Sequence, residues 1–151
     1  KKFRNSMHFK LETKEKELTY KNRELSKAIS SSISMNETLK SIKSLLKPNE
    51  NRSAIDVINS NLNNNLNWEK FKISFNEIYP QFLNHLTEKY PSLTQNEKRL
   101  CAFLRMGMRT SEIANLINIS ETSVSKNRNR LRKKLGLKSG FDISLFLKEM
   151  I

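Results

Sequence analysis

The sequence predicts an all-α fold, and three observations carry that prediction. Only 3 Gly and 3 Pro occur among 151 residues, too few for a turn-rich β architecture. Residues 1–47 hold neither, and leucines recur there in steps of seven at Leu11, Leu18, Leu25, Leu39 and Leu46, with Ser32 in the missing slot. Beyond them, helix-starting residues (Asn67, Thr94, Ser120) precede runs whose apolar positions are three or four apart. The expected architecture is a long N-terminal coiled-coil helix over 1–47, connecting helices over 48–91, and a C-terminal four-helix unit over 92–151.

In chain order, the heptad leucines keep one apolar stripe on one side of a helix, which is the requirement for a parallel dimer. Glu15 and Asn22 fall where a second apolar seam residue is wanted, so an amphipathic helix folded back on its own domain is the other reading. Pro48 ends the element, because proline cannot continue a helix and disfavours it in the residue before. A second helix is expected from about Ser53, with Ile55, Ile58 and Leu62 on one side, before an asparagine-rich tract over 59–67 that reads as a linker or frayed end. Trp68, Phe71, Phe75, Ile78 and Tyr79 then form an aromatic stripe at helical spacing, which is core. Pro80 suits the first turn of a further helix carrying Phe82, Leu83 and Leu86, and Tyr90-Pro91-Ser92 ends it.

The last sixty residues are the most informative. Thr94 with Glu97 spells a capping box for a helix that buries Leu100, Cys101, Phe103 and Leu104 and stops near Gly107. Thr110 and Ser111 start the next, expected to bury Ile113, Ala114 and Ile117. Asn118 marks a corner, being a residue that tolerates a left-handed backbone. Ser120 caps a third helix with Val124, Leu131 and Leu135 inward and Gly136 as its stop. That helix carries Lys126, Arg128, Arg130, Arg132, Lys133 and Lys134 against the single acid Glu121, a density that favours a polyanion nearby. A closing helix over 142–150 offers Ile143, Phe146, Leu147 and Met150 to the core.

Charge and composition narrow the partners. Lys and Arg total 28 against 15 Asp and Glu, for a net charge of +13 and a pI near 10.0. The balance points to nucleic acid first and an anionic membrane surface second, with a merely Lys-rich helical protein as the plain alternative. His8 and His85 stand far apart with no acidic partners at ligand spacing, so neither a metal site nor a histidine-based catalytic set is expected. A phospho-accepting role for His8 lacks any glycine-rich nucleotide-binding segment. No enzyme and no cofactor are expected. Cys101 lies in an apolar run and reads as a small buried hydrophobe, in keeping with a reducing, cytoplasmic setting. No apolar run is long enough to span a membrane, and the opening at Lys1 reads as the interior of a longer chain.

Residues 93–136 resemble the LuxR-type (GerE-type) DNA-binding domain of bacterial transcription regulators. The family's pattern is met at Leu93, Thr94, Glu97, Gly107, Glu112, Ile113, Ala114, Ile119, Ser120, Val124, Lys134, Leu135 and Gly136, with Ser123 in place of the usual threonine. The resemblance implies a helix-turn-helix whose recognition helix, about 121–135, lies in the major groove of double-stranded DNA. It places Ser125, Lys126 and Asn129 at base edges with Arg130 close by, and Thr122, Ser123, Arg128 and Lys133 on phosphates. Two positions depart from the family: lysine is common where this chain has Ser125, and histidine where it has Asn127, which leaves the operator sequence unread.

The Trp68–Pro91 stretch and the long helix look like the C-terminal cytoplasmic part of Bacteroidetes-type regulators, in which this domain follows a coiled coil and often a membrane span. By that resemblance Lys1-Lys2-Phe3-Arg4 falls on the cytoplasmic side, and any membrane attachment comes through an upstream segment. The expected protein is a homodimeric, sequence-specific regulator, with RNA polymerase as a further candidate partner. Two alternatives compete: a promoter-reading sigma-factor segment, and a coiled-coil scaffold whose basic helix docks on anionic lipid or another partner.

Overall fold

The computed structural model describes residues 1–64 and 66–150. Within them the chain forms eight helices and no strand: α1 (Lys2–Ser44), α2 (Arg52–Asn64), α3 (Trp68–Ile78), α4 (Phe82–Lys89), α5 (Gln95–Arg105), α6 (Thr110–Ile117), α7 (Glu121–Lys134) and α8 (Ile143–Glu149). The long, Gly- and Pro-free N-terminal helix is present in full. The asparagine-rich tract departs from expectation, since α2 runs on to Asn64 before position 65, which lies outside the described residues. Ile58 and Leu62 are buried on its inner side and hold it to α1. Pro80 is not part of a first turn either: α4 starts at Phe82, after Gln81 adopts a left-handed backbone (φ 73°).

One core joins the long helix to the C-terminal unit. Leu25 and Ile29 of α1 belong to the same buried cluster as Phe71 and Phe75 of α3, Phe103 of α5, Ile113 of α6, Leu131 of α7 and Leu147 of α8. The aromatic stripe forms a ladder: Trp68 stacks on Phe71 at 5.1 Å between centroids and Phe71 on Phe75 at 5.7 Å, while Phe103 tilts against Phe71 at 5.4 Å. Arg99 lies over Trp68 at 4.9 Å and Arg105 over Tyr79 at 4.4 Å, so the cations of α5 cover the ladder's outer rings. The 48–91 region is thus the wall on which the C-terminal unit packs.

The heptad seam has two fates. From Leu18 onward it turns inward: Leu25, Ile29, Ser32 and Asn36, spaced by four, three and four, are buried against α3 and α6. Lys21 reinforces this docking by pairing with Glu17 on its own helix at 3.0 Å and with Glu77 of α3 at 3.3 Å. Upstream, Phe3, Met7 and Leu11 are exposed by 79%, 51% and 60%, so the first turns of α1 pack on nothing among the described residues. The fold-back reading of the helix therefore describes its C-terminal half.

Candidate nucleic-acid interface

Each helix of the C-terminal unit is fixed at its ends by its own residues. At α5 the Thr94 hydroxyl accepts the Glu97 amide at 3.2 Å, and the Glu97 carboxylate accepts the Thr94 amide at 2.9 Å. α6 starts at Thr110, as expected, and is capped from within. Thr110 is the first helical residue, and Glu112 reaches back to accept the Arg109 amide at 3.0 Å. The corner is as read: Asn118 is left-handed (φ 56°, ψ 51°), and the Ile119 amide closes back on the Ala114 carbonyl at 3.1 Å. At α7 the Ser120 hydroxyl accepts the Ser123 amide at 3.1 Å. Its far end closes with Gly136 (φ 72°), whose amide donates to the Lys133 carbonyl while that of Leu137 donates to Arg132. A left-handed residue there lets two orphan carbonyls be satisfied, and glycine takes that conformation without strain.

One expectation about α6 is corrected. Ile117 is exposed by 38% and Leu116 takes the buried place beside Ile113 and Ala114. The reason lies across the interface: Asn36 of α1, fully buried, donates through Nδ2 to the carbonyls of Asn115 at 2.8 Å and Leu116 at 3.2 Å. Those carbonyls belong to the last turn of α6, where no intrahelical donor exists. The long helix thereby caps the corner-side end of the helix that precedes α7. Ile117 instead faces an open cavity of about 470 Å³ bounded also by Trp68, Phe103, Asn127 and Arg130.

The cationic helix α7 presents two contrasting faces. Val124, Leu131 and Leu135 are buried, as expected. On the other side Thr122, Lys126, Asn129 and Lys133, spaced by four, three and four, form one exposed line with Ser125 and Arg130 at its flanks. Of the six cations, three are engaged within the molecule. Arg128 donates to the Thr110 hydroxyl at 2.9 Å and so ties α7 to the first turn of α6. Arg132 donates to Asn129 Oδ1 at 2.7 Å. Lys134 donates to Glu97 at 2.9 Å and to the Ser92 carbonyl at 3.2 Å, holding α7 against the start of α5. The side chains of Lys126, Arg130 and Lys133 make no hydrogen bond or ion pair with the described residues.

Among the described residues Glu97 is the only acid in an ion pair with α7. Burial works to raise its carboxyl, but the hydrogen bond from Lys134, the Thr94 amide and the Lys134 charge outweigh it, and the group titrates below its ordinary range. No acidic pocket swallows the rest of the helix. Since its apolar face is consumed by the core, α7 keeps no hydrophobic side to insert into a lipid surface, which interfacial helices require. Ser123, expected on a phosphate, is half-buried in the N-cap, where the Ser120 hydroxyl donates to its Oγ at 2.9 Å. Arg128, also expected on a phosphate, is half-buried and held by Thr110, whereas the other six expected positions (Thr122, Ser125, Lys126, Asn129, Arg130 and Lys133) lie exposed on one side of α7. Asn36, Thr110 and Arg132 escaped the sequence reading, because their roles are set by partners on other helices or by a side-chain rotamer.

Two short helices meeting at a left-handed corner, the second exposed and cationic, define a helix-turn-helix of the DNA-binding class. Residues 91–146 match the family model described as bacterial regulatory proteins, luxR family (GerE), so this segment is a LuxR-family helix-turn-helix domain, the DNA-binding part of a transcription regulator. No curated protein and no solved structure matches the chain. Among the described residues no helix is long and apolar enough to cross a membrane.

Proposed function

We propose that the chain is a sequence-specific, dimeric transcription regulator that lays α7 in the major groove of double-stranded DNA. The observation that carries this reading is the exposed line Thr122–Lys126–Asn129–Lys133 opposite the buried Val124, Leu131 and Leu135. Ser125, Lys126 and Asn129 meet base edges, with Arg130 beside them. Thr122 and Lys133 meet phosphates, as do Ser123 and Arg128 near the first turns of α7 and α6, where helix N-termini favour anionic oxygens. Two such helices related by a two-fold axis enter successive grooves of a pseudo-palindromic site.

The dimer is supported by the free part of α1. At 100° per residue Phe3, Met7 and Leu11 share a helix face with Leu18 and Leu25, and they are exposed. A second copy covers them in parallel, while the docked part of the seam beyond Leu18 remains with its own domain. The setting of this reading is cytoplasmic, with RNA polymerase as a candidate downstream partner.

Selection from a random DNA pool tests the reading, with binding to the selected duplex then measured against salt. An enriched two-fold site and a steep salt dependence are expected. Lys133→Ala should weaken all sequences alike and make the log–log slope shallower by about 0.9 for the lost phosphate contact. Lys126→Ala should change base preference. Equal, sequence-independent losses in both variants would contradict the assigned roles. Sedimentation mass should rise with concentration from monomer to dimer, and Leu11→Lys should block that rise.

A further inference from the structure

We propose that Arg132 sets the base specificity of this interface by locking the Asn129 amide in one orientation, so that position 129 selects guanine and rejects adenine. The inference rests on the major-groove reading of α7 above. A free asparagine amide offers an acceptor and a donor side by side, which matches the N7 acceptor and N6 donor of adenine. Here one of the two lone pairs of that acceptor is taken and the oxygen is turned toward Arg132. Arg132 Nη1 donates to Asn129 Oδ1 at 2.7 Å, and a guanidinium has no acceptor, so the amide's orientation is fixed by chemistry: oxygen toward Arg132, Nδ2 away from it. The bond is charge-assisted, which strengthens it over a neutral pair.

Arg132 is itself restrained. It is half-buried, and its Nε is closed off from solvent, which keeps the guanidinium close to the helix surface. What position 129 presents to a base edge is therefore the Nδ2 donor pair. Its neighbours on the exposed line and flank, Lys126, Arg130 and Lys133, are donors too and are free of partners among the described residues. The Thr122 and Ser125 hydroxyls can accept as well as donate, but these four groups around position 129 offer donors, which complement an edge of adjacent acceptors. In the major groove that edge is N7 and O6 of guanine; adenine's N6 amino group would meet another donor. Arg132 touches no base in this arrangement and acts as a positioning residue.

The test is selection from a random duplex pool with three chains: wild type, Asn129→Ala and Arg132→Met, each first shown by thermal melting to be folded. Asn129→Ala identifies the base pair facing residue 129 as the position that loses its preference. The wild type should carry guanine there, and Arg132→Met should move that position toward adenine. The guanine-to-adenine affinity ratio should change by about tenfold, the lower part of the range for one bidentate contact. Adenine at that position in the wild type overturns the inference. So does an Arg132→Met chain that keeps guanine while binding all sequences more weakly, since Arg132 would then be a phosphate contact. A wild-type pool with no enriched site defeats the regulator reading itself, and the role of Arg132 falls with it.

Discussion

Replacing Asn36 probes the joint between the long helix and the DNA-binding unit. Its amide is fully buried and donates to two carbonyls at the end of α6. Asn36→Ala removes two hydrogen bonds worth about 1 kcal/mol each and leaves acceptors whose desolvation costs about 1–3 kcal/mol more, for a total of about 3 kcal/mol at the least. For a chain of this size that lowers Tm by about 6–12 °C. Asn36→Asp is the sharper variant. It turns a donor into a carboxylate facing two carbonyl oxygens, so at neutral pH it should be less stable than the alanine variant. Burial and the carbonyl dipoles raise the folded-state pKa of that carboxyl above its unfolded value. A raised acid is protonated first in the folded state, so the deficit is full above the folded pKa and shrinks as pH falls through it, when one O–H donor returns. Thermal melting by circular dichroism at neutral and acid pH measures both effects. An alanine variant melting with the wild type, or an aspartate variant no worse than alanine at neutral pH, would refute the assignment of Asn36 as the cap of α6.

Glu97 predicts an acid-sensitive lock between α5 and α7. Its lowered pKa means that its contribution is present above the ordinary value of 4.5 and is lost as pH falls through the lowered one. The stability gap between wild type and Glu97→Gln should therefore be full at neutral pH, begin to shrink as pH falls past 4.5 and close once pH lies below the lowered folded-state value; a gap that persists unchanged into acid would contradict the Lys134 pairing. Cys101 predicts silence: burial, then the nearby Glu97 charge, pushes its thiol up to about 12, so a thiol reagent should label it only at the rate of unfolding. Fast labelling of the native chain would show that α5 opens locally.

Much of the fold was legible because its signals are local. Thr94 with Glu97, Ser120, Asn118 and Gly136 each act within a few residues of themselves, and the backbone responds to them wherever the chain goes. The buried line Val124, Leu131 and Leu135 followed from spacing alone. Other features depend on what lies opposite. Leu116 rather than Ile117 is inward because α1 crosses the end of α6 there, and no periodicity over eight residues distinguishes the two. The extent of α2 depended on asparagines that read as breakers but sit behind Ile58 and Leu62, whose burial holds the helix. Within the interface, spacing marked which residues face outward, whereas the pairing of Arg132 with Asn129 is a rotamer choice that composition cannot encode.

The divided seam of α1 links these local and non-local features to regulation. The heptad leucines look alike in sequence, yet Leu25 is buried in its own domain while Leu11 is exposed. A dimer through the first turns alone spans few heptads and is weak by itself. The docked half, by contrast, grips α6 through Asn36 and α3 through Lys21. One rigid helix thus carries both the contact that would pair two chains and the cap that holds the corner before α7. In the proposed dimer α1 would set the spacing of the two α7 helices, and Asn36, about three turns past the buried Leu25, would set the presentation of each.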